Sequence, residues 1–123
     1  VTLLRRMPLF GELDGRQIQR LAASLEEIRY QAGDLIIGQG DLGDTFYIVL
    51  SGRVQVFVTE GDREQTLRQS GPGEIFGEIA LLQRVPRTAS VRAVTPVELL
   101  ALRQEAFDRL IREQVLVSRN LEL

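Results

Sequence analysis

The residues best suited to chemistry fall in one stretch, Gly73-Glu74-Ile75-Phe76-Gly77-Glu78-Ile79-Ala80-Leu81-Leu82-Gln83-Arg84-Val85-Pro86-Arg87-Thr88-Ala89-Ser90-Val91. Its apolar positions do not keep the two-residue period of a strand. Gly77 followed by Glu78-Ile79-Ala80-Leu81 instead reads as a single short helical turn. The start of such a turn offers unpaired N–H donors and the positive end of the peptide dipoles, which suits an anion. Gly77 lets the backbone approach a ligand because no Cβ intervenes. Ten residues on, Arg87 opens a strand among the small residues Thr88, Ala89 and Ser90. A guanidinium beside free N–H groups suits a phosphodiester, since its planar fork bonds two oxygens at once. Glu78 is an acceptor-only group matched to a sugar hydroxyl. Residue types and spacing alone specify an anion site and nothing finer.

What the chain lacks narrows the chemistry further. It has no cysteine and no histidine, which removes disulfides, thiolate metal sites, a Cys nucleophile, the commonest general base and the commonest metal ligand. All 15 basic residues are arginine, so neither a Schiff base nor a Walker-type lysine is available. A carboxylate pair such as Glu74 and Glu78 is what remains for an enzyme. The formal charge of −2, with basic residues scattered along the chain, gives no footprint for nucleic acid. Mean hydropathy is −0.02, and no run approaches the ~18 apolar residues that span a bilayer. The N-terminus lacks the order of a signal peptide and a starting Met, and so reads as part of a longer protein.

The elements that must position this stretch are short. Asp14 with Gln17 three residues on forms an Asp version of the capping box. Ile18, Leu21, Ala22 and Leu25 then make one helical stripe, predicting a helix over 15–25. From Glu26 the period becomes two. Ile28 and Tyr30, Leu35–Ile37, Phe46–Leu50, the alternating Val54, Val56 and Val58, a strand near Thr66–Gln69, the alternating Ala89, Val91 and Ala93, and Val97–Leu102 all read as strands. Turns fall at Gly33-Asp34, Gly40–Asp44, Ser51-Gly52, the polar loop Glu60–Glu64 and Gly71-Pro72-Gly73. Ala106, Phe107, Leu110 and Ile111 share a helical face, and Leu116, Asn120 and Leu123 continue into a second helix after a break near Glu113–Val115. At 123 residues the chain has room for one domain.

F-G-E-I-A-L-L followed by P-R-T-A-S-V resembles the phosphate-binding cassette of cyclic-nucleotide-binding domains, as in cAMP-dependent kinase regulatory subunits, bacterial catabolite activators and cyclic-nucleotide-gated channels. The resemblance covers nearly the whole chain and includes the glycine turns at 33–34, 40–44, 51–52 and 71–73. It implies a mainly β fold: an eight-stranded antiparallel β-roll of jelly-roll type, with an N-terminal helix, a short cassette helix and C-terminal helices. In that scheme 1–25 is the N-terminal helical segment, 26–103 the roll with its cassette at 73–91, and 104–123 the C-terminal helices.

Site roles follow by the same resemblance. Arg87 would pair with the cyclic phosphate and Glu78 would accept from the ribose 2′-OH. Backbone N–H groups of Gly77, Ala80 and Thr88 would complete these contacts, with Ile79 and Ala89 in the same ligand-binding set. The Thr88 hydroxyl would reach the phosphate or a syn guanine, or Thr88 is simply a strand residue. Arg68 and Ser70 stand where the family places base-facing apolar residues, a departure from its pattern. Arg84 and Arg92 read as solvated surface. The implied ligand is cAMP or cGMP, bound reversibly with no cofactor, no metal and no catalysis. The implied setting is cytoplasmic, including the cytoplasmic side of a membrane protein. The signal would pass through movement of the C-terminal helices, with Leu116 and Asn120 as lid residues, to a fused output domain or through helix-mediated dimerisation. A domain of the same fold that has lost its ligand and serves as an interaction module is the alternative.

Overall fold

The computed structural model describes residues 14–77 and 85–109. The elements in chain order are α1 (Gly15–Ala23), β1 (Glu26–Tyr30), β2 (Leu35–Ile37), β3 (Thr45–Ser51), β4 (Val54–Glu60), β5 (Arg63–Ser70), β6 (Ile75–Phe76), β7 (Ser90–Ala93) and β8 (Val97–Arg103). Residues 104–109 are helical. The eight strands form two four-stranded sheets ordered β1-β8-β3-β6 and β2-β7-β4-β5, with every pairing antiparallel. This is the mainly β, jelly-roll-like fold that the resemblance implied.

The expected capping box opens α1. Asp14 Oδ1 accepts from the Gln17 N–H at 2.8 Å, and Gln17 Oε1 accepts from the Asp14 N–H at 3.0 Å. The helix ends at Ala23 with Ser24 as its C-cap, two residues before the predicted end. Its stripe packs as expected. Ile18 and Leu21 are buried with Phe46, Ile48, Leu102 and Phe107, and Ala22 and Leu25 lie against them.

The first sheet is thus a middle layer. In β3, Phe46 and Ile48 face α1 while Tyr47 and Val49 face the second sheet, so the strand is buried on both sides. That explains its unbroken apolar run, where a strand with one wet face would alternate. The inter-sheet core holds Tyr47, Val49, Phe76, Val97, Leu99 and Ala101 against Ile37, Val54, Val56, Val91 and Ala93.

Four details differ from the sequence reading. The loop expected over Glu60–Glu64 contracts to Gly61-Asp62, because β4 runs to Glu60 and β5 starts at Arg63. Cross-strand pairing with β4 holds these exposed polar residues in a strand that local pattern does not reveal. Ile75–Phe76 forms a two-residue strand because it finds Ile48 and Tyr47 as partners. The strand expected from Arg87 begins at Ser90, leaving Arg87 in the approach to it. Arg92 is half-buried rather than solvated. Its guanidinium lies 4.3 Å from the Phe57 ring centroid and pairs with Glu64 at 2.6 Å. The expectations for residues 78–84 and 110–123, including Glu78, Ile79, Ala80, the cassette helix and the lid, lie outside the described residues.

Candidate functional site

Where the inter-sheet core reaches the end of β6, the two sheets part around a cavity of about 210 Å³. Its walls include Ile37, Val56, Phe76 and Val91 from the core, together with Gly77, Pro86, Arg87, Thr88 and Ala89. Four of the seven predicted site residues, Gly77, Arg87, Thr88 and Ala89, therefore meet at one cavity. Ala89 is partly buried and Thr88 is exposed. Ser90 belongs to β7, as expected, and its buried Oγ accepts from the Gln39 N–H at 2.9 Å.

Arg87 is fastened at both main chain and side chain. Its N–H donates to the Asp41 carbonyl and its own carbonyl accepts from the Gly40 N–H, both at 2.8 Å. The neighbouring Pro86 makes an isolated bridge with Leu42. At the other end, Nη2 donates to the Thr45 carbonyl at 2.6 Å and Nη1 to the Gly77 carbonyl at 3.3 Å. Gly77 has φ +81°, a conformation that disfavours any side chain, and a Cβ there would lie 2.9 Å from Nη1. The glycine thus permits both the turn and the close approach of the cation.

Burial and neighbouring groups act against each other on this cation. Burial pulls the Arg87 pKa below its ordinary value, while Tyr47 and Asp44 act in the opposite direction. Among the described residues no carboxylate is within ion-pairing distance of it, and its hydrogen-bond partners are carbonyl oxygens. A half-buried guanidinium held by neutral acceptors and facing an apolar-walled cavity gains from an arriving anion. Behind it, Tyr47 stacks on Phe76 with ring centroids 5.0 Å apart. Among the described residues no group of acidic side chains could hold a metal ion.

A family model described as the cyclic nucleotide-binding domain matches residues 27–114. The chain belongs to the cyclic nucleotide-binding domain family. It is 42% identical over 119 residues to a cyclic AMP receptor protein of Thermus thermophilus, covering 96% of this chain and 55% of that protein. It is 37% identical over 109 residues to a cAMP-dependent protein kinase regulatory subunit of Blastocladiella emersonii, covering 88% of this chain and 27% of that one. Among solved structures, the regulatory domain of Toxoplasma gondii PKA with cAMP superposes with a TM-score of 0.84 at 30% identity, over 98% of this chain and 46% of that one. The chain therefore spans about half or less of the length of these relatives. As a cyclic nucleotide-binding domain it is related to regulatory proteins, and among the described residues no helix is long and apolar enough to cross a membrane.

Several contributors escaped the sequence reading. Thr45 acts through its carbonyl, which leaves no mark on residue type. Gly43 passed as a turn residue, yet it gives way to the Arg87 guanidinium. Ile37 and Val56 looked like ordinary strand residues; only strand register brings them to the cavity.

Proposed function

We propose that this domain senses a cyclic purine mononucleotide, cAMP or cGMP, binding it reversibly and performing no chemistry on it. The observation that carries this reading is the half-buried Arg87 guanidinium, held by two carbonyls beside Gly77 at an apolar cavity. Arg87 takes the cyclic phosphate, and backbone N–H groups of Gly77, Ala80 and Thr88 assist it. Glu78 accepts from the ribose 2′-OH, while Ile79 and Ala89 complete the pocket. The names of the relatives, a cyclic AMP receptor and a cAMP-dependent kinase subunit, support the ligand class. The lack of His, Cys and Lys supports a binder over an enzyme. The greater length of the relatives supports an output domain in the whole protein; in this reading the C-terminal helices drive it and the protein is cytoplasmic.

Calorimetric titration with cAMP, cGMP and 5′-AMP tests the proposal. Saturable binding of a cyclic form, much tighter than 5′-AMP, is expected. Absence of binding to a folded chain overturns it in favour of a domain that has lost its ligand.

A further inference from the structure

The register between β4 and β7 pairs Val54 with Ala93 and Phe57 with Ser90, and β7 begins at Ser90. Continued along β4 as far as Thr59, it would set Thr88 opposite. Thr88 instead lies at the cavity, in the segment that carries Arg87. β4 runs on to Glu60, so the Thr59 main chain has lost the strand that would satisfy it on that side. Gln39, from the β2–β3 connection, takes the place of that strand. Its Oε1 accepts from the Thr59 N–H at 2.8 Å, and its Nε2 donates to the Thr59 carbonyl at 3.4 Å. A side-chain amide carries an acceptor oxygen and N–H donors on one planar group, so it imitates a peptide partner where a carboxylate or an apolar chain cannot.

The same short loop grips both ends of the segment that has left the sheet. The Gln39 N–H donates to Ser90 Oγ at 2.9 Å, while Gly40 and Asp41 hold the main chain of Arg87. Consecutive loop residues thus bracket the stretch from Arg87 to Ser90, and the Gln39 side chain ties that bracket to β4. Without the amide, the Thr59 N–H and carbonyl turn to water or to renewed pairing with Thr88. Such pairing would draw Thr88 and Arg87 back into the sheet and away from the cavity. We propose that Gln39 is a positioning residue of the anion site: by partnering Thr59 it holds Arg87, Thr88 and Ala89 out at the cavity. The role rests on the cyclic-nucleotide reading above, and Gln39 itself does not line the cavity.

The test is calorimetric titration of the whole chain with cAMP and cGMP, for the wild type, Gln39→Met, Arg87→Lys and the double variant. Methionine keeps the length and bulk of glutamine but offers Thr59 no amide. Both Thr59 bonds are exposed, so Gln39→Met should weaken cyclic-nucleotide binding by about threefold to tenfold and no more. Its melting temperature should stay within about 5 °C of wild type. Added to Arg87→Lys, whose ammonium lacks the two-pronged geometry, the same change should cost less than about twofold, because it acts through the guanidinium. Hydrogen exchange at the Thr59 N–H should quicken in Gln39→Met without ligand. Circular dichroism checks that every variant is folded. Binding by Gln39→Met within about twofold of wild type overturns the positioning role while the sensor reading stands. So does an equal loss with and without Arg87→Lys, which would make Gln39 a general support of the fold. A wild type that binds no cyclic nucleotide overturns both readings.

Discussion

Gly43 leaves the space that the Arg87 guanidinium fills: a Cβ built on Gly43 would overlap the Nε, Cζ and Nη2 atoms of Arg87. The backbone at Gly43 does not have a positive φ, so its neighbour and not its own conformation excludes a side chain. Only the far end of a flexible side chain would have to move, which is cheap for the fold and expensive for the site. Gly43→Ala should move the melting temperature by less than about 4 °C, under ~1 kcal/mol. It should nevertheless weaken cyclic-nucleotide binding about tenfold or more, through loss of the Arg87 position. Paired thermal melts and titrations check this; a variant that binds like wild type would show that Arg87 need not sit where it does.

Removing the cation itself should be more severe. Arg87→Ala is expected to weaken cyclic-nucleotide binding by ~2–5 kcal/mol, as for truncating one member of a buried charge pair. Arg87→Lys should recover only part of this, because an ammonium is a point charge without the two-pronged donor geometry. Calorimetry on both variants measures the difference. An affinity within threefold of wild type for Arg87→Ala would sink the phosphate assignment.

Tyr47 should make the fold sensitive to high pH. Burial, followed by the charges and dipoles of Tyr30 and Asp44, raises its pKa, with Arg87 pulling the other way. The unfolded chain releases this proton near pH 10 while the folded chain keeps it. Its contribution is therefore fully present below pH 10 and is lost as pH rises through the higher folded value. Urea midpoints at pH 8, 10 and 11 should fall more steeply for wild type than for Tyr47→Phe, which has no proton to lose. Parallel curves would count against this source of the effect.

Arg92 offers a comparison between packing and charge. Its guanidinium covers the Phe57 ring, bonds Gln55 Oε1 at 3.3 Å and pairs with Glu64. The Glu64 side chain keeps 44% of its surface exposed, so the ion pair contributes little. Arg92→Ala should cost about 1–2 kcal/mol, mainly through the ring contact and the buried stem. Glu64→Ala should cost under about 0.5 kcal/mol. Denaturant melts at low and high salt separate the two, and equal losses would assign the effect to the ion pair.

Sequence made the local patterns legible and left the long-range ones hidden. The capping residues of α1, the stripe from Ile18 to Leu25, the run in β3 and the cassette around Arg87 all carry their information in neighbouring residues. Ile75–Phe76 became a strand only because Tyr47 and Ile48 lie beside it, nearly thirty residues earlier in the chain. Arg92 looked solvated because alternation with Val91 and Ala93 turns it away from the inter-sheet core. The aromatic ring waiting on that other face comes from a different strand. Ile37 meets Val91, and Val91 meets Val56, through two separate registers, neither of which a single segment encodes.

The two main-chain bonds between Arg87 and the Gly40-Asp41 loop have a mechanical meaning. They make the Arg87 side of the cavity a fixed jaw, braced against the β2–β3 connection. If the domain works as proposed, the stroke comes from the opposite jaw, with the Arg87 clamp as its fulcrum, and loosening the clamp would let ligand seat without driving the lever.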